Sequence, residues 1–104
     1  MRHKYGAKPT TVDGIRFHSM KEARRYQELK LLERAGEIQN LSLQPEFPLH
    51  APDQEKPVGR YIADFEYLER GKTVIEDVKG YDTAFAKWKR KHLKMQYGFE
   101  VRIT

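Results

Sequence analysis

A mixed α/β fold, a four-stranded sheet flanked by helices, is predicted by three features of the chain. Two segments, about Met20 to Ala35 and about Ala84 to Tyr97, have a capping residue before them, a glycine after them and apolar residues at helical spacing. Two alternating segments, RYIADFEYL and KTVIEDVKG, flank the turn Glu69-Arg70-Gly71. A last alternating segment, FEVRI, follows the second helix. The order is helix, three strands, helix, strand. The first three strands can form an antiparallel meander. The last is reached through a crossover helix and should lie parallel to its neighbour, with a right-handed connection.

Each element has a local reason. Residues 1–10 (MRHKYGAKPT) are basic and polar and read as a flexible arm, leaving 11–104 as a single domain. In TVDGIRF an Asp-Gly turn signal between Val12 and Ile15 predicts a tiny hairpin. Ser19 caps the first helix, Gly36 stops it, and Ser19 with Glu22 has the S-x-x-E spacing of a capping box. Residues 38–50 (IQNLSLQPEFPLH) read as an irregular first strand, which Pro45 and Pro48 assign to an edge or a bulge. Residues 51–59 (APDQEKPVG) form a polar loop. In the second helix, capped by Asp82 or Thr83 and stopped by Gly98, Phe85, Trp88, His92 and Met95 have the spacing of a buried stripe. Tyr97 reads as a core residue, and His18 as a helix-start residue.

Composition narrows the function classes. Apolar residues are 38% and charged ones 34%, a soluble profile with a limited interior. No apolar run approaches the roughly 20 residues of a membrane span, and MRHKYGAKPT lacks a signal peptide's apolar stretch. With no cysteine there is no disulfide framework, thiolate metal site or cysteine nucleophile. A cytoplasmic setting is the simplest expectation. The net charge of +5 favours a polyanionic partner. Lys87, Lys89, Arg90, Lys91 and Lys94 gather on the second helix, a candidate surface for a phosphate backbone.

Strand parity supplies a candidate site. Side chains two apart on a strand share a face. Arg60, Ile62, Asp64, Glu66 and Leu68 form one row and Tyr61, Ala63, Phe65 and Tyr67 the other. On the next strand Thr73, Ile75, Asp77 and Lys79 share a face, with Val74, Glu76 and Val78 opposite. Asp64, Asp77 and Lys79 can therefore converge, while Glu76 points away. Two carboxylates on adjacent strands, with a third such as Glu22 from a nearby helix, make an oxygen-rich site for Mg²⁺, with Mn²⁺ as substitute. Such an ion polarises a phosphoryl oxygen and activates water. Lys79 between carboxylates stays protonated and suits neutralising developing charge. Plainer readings stay open: Glu22 as a cap, Asp64 with Lys79 as a cross-strand ion pair, and the lysine-rich helix as a solvated face. Gln44 could join the same site, and Glu66 could serve its outer coordination shell, though a solvent-facing charge is the plainer reading of Glu66.

Asp64, followed thirteen positions later by Asp77-Val78-Lys79, resembles the signature of the PD-(D/E)XK nuclease superfamily. The upstream Glu22 and the element order match that superfamily's restriction-endonuclease-like αβββαβ core over about residues 17–103. Ala63 stands where the signature has proline, and Asp77 where it more often has glutamate. The segments FHSMKEARRYQELKLLERAGEI, LQPEF, YIADFEY and IEDVKG are similar to small phage-encoded endonuclease-like proteins, a family largely of unknown function. The layout is related to phage junction-resolving and very-short-patch repair endonucleases.

The resemblance implies metal ligands at Asp64, Asp77, the Val78 carbonyl and Glu22, and a catalytic lysine at Lys79. It implies a Mg²⁺-dependent DNA endonuclease of phage type in the host cytoplasm, structure-selective or weakly sequence-specific. Cutting both strands would favour a homodimer. The rival expectations are a catalytically inactive basic nucleic-acid-binding module and an interaction protein of a phage complex.

Overall fold

The structure, a computed structural model, describes residues 8–78, 80 and 82–104. Along it run β1 (Thr10–Val12), β2 (Ile15–Phe17), α1 (Met20–Arg34), β3 (Gln39–Leu43) and β4 (Glu46–Leu49). Then come β5 (Gly59–Ile62), β6 (Phe65–Glu69), β7 (Lys72–Asp77), α2 (Ala84–Tyr97) and β8 (Arg102–Ile103). Residues 1–7 of the expected arm lie outside the described residues, and Thr10 belongs to β1.

Local chemistry places the turns and helix ends. Asp13-Gly14 and Arg70-Gly71 take positive φ at both positions, 52° and 75° in one and 53° and 76° in the other. These two-residue turns match the twist of the strands they join, closing β1 on β2 and β6 on β7. The Ser19 hydroxyl accepts the Glu22 amide at 3.1 Å to start α1. The Thr83 hydroxyl accepts the Ala86 amide at 3.0 Å to start α2, and Gly98 ends that helix at φ 79°.

The four-stranded sheet has the order β3-β6-β7-β8. β6 is antiparallel to β3 and β7, and β8 is parallel to β7 after the α2 crossover. The mixed sheet is thus as expected, but its strands are not continuous. The expected first strand splits into β3 and β4, and RYIADFEYL splits into β5 and β6. β4 and β5 pair separately as a two-stranded antiparallel sheet. One break falls at Gln44, with φ 51°, before Pro45, which lacks an amide to donate. The other falls at Ala63-Asp64. The two breaks are stapled together: the Gln44 amide donates to the Asp64 carbonyl at 3.0 Å, and the Ala63 amide to the Pro45 carbonyl at 3.1 Å.

That double break divides the core. Phe65 and Tyr67 pack with Phe17, Ala23, Tyr26, Leu29 and Ile38 beneath α1. Tyr61 and Ala63, of the same parity in an unbroken strand, join Leu49, Ile75 and Leu93 beneath α2 instead.

The facing of α2 differs from expectation. Its only fully buried residue is Leu93, while Phe85, Trp88 and Met95 are 59%, 55% and 81% exposed. At 100° per residue Leu93 lies about 80° from Phe85, about 100° from His92 and about 140–160° from Trp88 and Met95, so packing through Leu93 turns the stripe outward. His92 is half-buried, with its Nε2 3.0 Å from the His50 carbonyl oxygen. Tyr97 is partly exposed, and its hydroxyl donates to the Pro48 carbonyl at 2.6 Å. Among the described residues no helix is long and apolar enough to cross a membrane.

Candidate functional site

Asp64 and Asp77 meet at the strand break. The Asp64 amide donates to Asp77 Oδ1, and the Val78 amide donates to Asp64 Oδ2, each at 2.8 Å. Each carboxylate is thereby oriented by the backbone at or beside the other. The Tyr61 hydroxyl donates to Asp77 Oδ2, so both Asp77 oxygens are engaged. Charge-assisted bonds of this kind fix a side chain's direction more firmly than neutral ones.

The electrostatics are those of crowded, partly desolvated acids. Burial pushes the Asp64 carboxyl up to about 7; the Val78 amide opposes this, and the charges of Glu22 and Asp77 add to it. Burial also raises Asp77, against the Tyr61 hydroxyl, the Asp64 amide and the nearby Arg90 cation. Glu22 is 6% exposed and raised by burial, with His18 opposing and Asp77 adding. Its carboxylate lies 3.9 Å from His18 Nδ1, and the His18 backbone amide also favours its charged form. Glu22 thus combines a helix-start role with a charge felt at the aspartate pair.

Asp77 opens onto two clefts, and Asp64 onto the first of them. One, of about 240 Å³, is lined by Asp64, Asp77, Val78, Asp82, Ala86 and Arg90, among others. Another, of about 320 Å³, brings Arg60, Tyr61, Lys89 and Arg90 to Asp77. The second cleft thus gathers cations around Asp77, while in the first Arg90 is paired with Asp82.

The other sequence-derived residues distribute unevenly. Lys79 lies outside the described residues. Arg90 is no free phosphate contact: it is 20% exposed, pairs with Asp82 at 2.7 Å and faces Asp77. Lys87, Lys91 and Lys94 are exposed, and the Lys89 ammonium lies 5.1 Å from the Phe85 ring centroid. Lys94 is 3.8 Å from Glu100. Gln44 reaches the site through its backbone rather than its side chain. Among the described residues no group of three or more His, Cys, Asp or Glu is placed to hold a metal ion. Glu22 lies in the first turn of α1, where its charge acts on Asp64 and Asp77, and both Asp77 oxygens accept hydrogen bonds.

Sequence reasoning missed Tyr61, and it read Arg90 as a phosphate contact rather than as a neighbour of Asp77. Unbroken parity put Tyr61 on the face opposite Asp77, and the break at Ala63-Asp64 reverses that. Arg90 lies three residues before Leu93, so it faces inward once Leu93 sets the buried side of α2. Glu76, read as pointing away from Lys79, is fully buried beneath α1. It accepts from Arg25 at 2.6 and 2.9 Å, from Tyr67 at 2.6 Å and from Thr104 at 3.1 Å. Desolvation pushes the Glu76 carboxyl up, but these donors outweigh it and hold it below the ordinary range. This network supports the strand that carries Asp77.

The family model described as "Protein of unknown function (DUF1064)" matches residues 2–104, so the chain belongs to that family. No curated protein and no solved structure matches it significantly.

Proposed function

We propose that this member of the DUF1064 family is a divalent-metal-dependent DNA endonuclease with a restriction-endonuclease-like core. The observation that carries the reading is the Asp64–Asp77 pair, cross-oriented by backbone amides and lining one cleft with Arg90, with Asp77 also facing a second cleft that Arg60 and Lys89 line. The resemblance of Asp64 and Asp77-Val78-Lys79 to the nuclease signature points the same way.

The donor set fits a hard cation. Two partly desolvated carboxylates repel one another, and their raised proton affinity marks a place where positive charge is favourable. Mg²⁺ takes one or two protein carboxylates, keeps several waters and accepts substrate phosphate oxygens, so a set of three protein carboxylates is not required. Asp64 and Asp77 would hold it, with Val78 lining the same cleft. When bound, the ion supplies polarisation of a phosphoryl oxygen and a more acidic water.

The chain's own groups do the rest. Tyr61 fixes the Asp77 carboxylate, and Arg90, anchored by Asp82, offsets negative charge beside it. Arg60 and Lys89 draw the phosphodiester into the cleft. Glu22 adds negative field from the helix side. Lys79 would neutralise charge developing on the phosphate. Phage origin and action in a host cytoplasm follow from the resemblance, and a homodimer would let two such sites act on opposite strands.

The test is incubation with branched, nicked and linear DNA, with Mg²⁺ or Mn²⁺ or with chelator, beside the Asp77→Ala variant. Metal-dependent cleavage that falls to background in the variant is expected. Salt-sensitive binding without cleavage of any substrate would overturn the enzyme in favour of a binding module. Absence of binding would favour an interaction protein.

A further inference from the structure

The outward face of α2 carries an aromatic stripe. Phe85 and Trp88 lie with centroids 6.1 Å apart in a T-shaped pair, and Trp88 and His92 lie 5.5 Å apart in another. Met95 continues the row. A small chain with a limited interior would ordinarily bury such rings, since each represents a large apolar area. Here Leu93 takes the buried position, and Phe85 and Trp88 each remain more than half exposed.

The surroundings of the stripe say what covers it. At 100° per residue, Lys87, Lys91 and Lys94 fall along one flank of the Phe85–Trp88–Met95 row and Lys89 along the other. Lys89 is also a wall of the cleft at Asp77. Lys89 therefore links the cleft at Asp77 to the stripe, with its ammonium 5.1 Å from the Phe85 ring centroid. Exposed rings bordered by ammonium groups match a ligand that alternates flat apolar faces with phosphates. A second copy of this chain fits poorly, because stripe-to-stripe pairing would bring two sets of four lysines together. A base-paired duplex fits poorly too, because its base faces are already stacked.

We propose that the Phe85–Trp88–His92 face of α2 is a stacking platform for unpaired bases, with Lys87, Lys89, Lys91 and Lys94 holding the flanking phosphates. This deepens the nuclease reading and rests on it for the role of the platform, which is to select DNA with a single-stranded segment beside the cleft. Base–aromatic stacking tolerates any sequence, because every base has a π-face.

The chain's single tryptophan is Trp88, so fluorescence excited at the red edge of the band, where tyrosine does not absorb, reports this face alone. In chelator, to exclude cleavage, titration with oligodeoxythymidylate should quench Trp88, whereas a hairpin-closed duplex of equal length should not. Trp88→Ala should weaken oligonucleotide binding, followed by anisotropy of a labelled strand, by about 10-fold or more, and Trp88→Phe should recover most of it. Since Trp88 is exposed, thermal melts of both variants should match wild type.

Unchanged fluorescence at saturating oligonucleotide, or equal binding by Trp88→Ala, would overturn the proposal. So would sedimentation as a dimer that Trp88→Ala dissolves without altering DNA affinity, or a blue shift with phosphatidylglycerol vesicles in preference to the oligonucleotide. Quenching without cleavage of any DNA would sink the nuclease reading and leave the platform. Metal-dependent cleavage without quenching would do the reverse.

Discussion

Asp64 sits where β5 ends and β6 begins, and its backbone and side chain both serve that junction. Its carbonyl accepts from Gln44, its amide donates to Asp77, and its carboxylate accepts from Val78. Holding a carboxyl here raises its proton affinity from the ordinary 3.8 to about 7. Between those values the folded chain keeps a proton that the unfolded chain has released. The contribution therefore favours folding below about pH 4 and is lost as pH rises through about 7. Asp64→Asn, without divalent ions, should stabilise the protein at pH 8 by at least about 1 kcal/mol, or about 5 °C in Tm. At pH 5, where the folded carboxyl still keeps its proton, the gain should be smaller. Thermal melts at the two pH values check this, and a destabilised variant at pH 8 would contradict the electrostatic account. Glu76 shows the opposite balance, since Arg25 and Tyr67 supply enough donors to keep a fully buried carboxylate charged.

Among the elements, α2 has the most consequential orientation. Its boundaries, from the Thr83 cap to Gly98, follow from local capping chemistry and were legible in the sequence. Its rotation was not, because two apolar rows compete on one helix: Leu93 with Ala86, and Phe85 with Trp88 and Met95. The sheet decides between them, since Ile75, Tyr61 and Leu49 leave a socket that Leu93 fills. Leu93→Ala should cost about 2–5 kcal/mol through the cavity it leaves. Met95→Ala, at 81% exposure, should change stability by less than about 0.5 kcal/mol. Denaturant melts of the two variants discriminate the observed rotation from one that buries the aromatic row.

At the scale of the whole molecule, acid and base are separated by depth. The aspartates lie on the floor between sheet and α2, while Lys87, Lys91 and Lys94 stand on the exposed helix surface. A polyanion that enters past Lys89 and lies along α2 would meet these lysines, so affinity should fall with salt. For a single-stranded ligand, Lys87→Ala combined with Lys91→Ala should reduce the slope of log affinity against log salt by about 1.4. Binding isotherms at several salt concentrations measure it; an unchanged slope would remove these lysines from the interface.

The sequence by itself determined the helices, the two tight turns, the mixed order of the sheet and the Asp64–Asp77 pairing. Those features depend on caps, turn residues and period-two patterning, which act over a few positions. Only the tertiary structure decided where the long strands break, which face of α2 is buried, and that Tyr61 and Arg90 meet Asp77. Each of these depends on one element choosing among competing partners. Alternation in RYIADFEYL could not reveal that Tyr61 and Phe65 serve different cores, because the reversal arises from β5 leaving the main sheet to pair with β4.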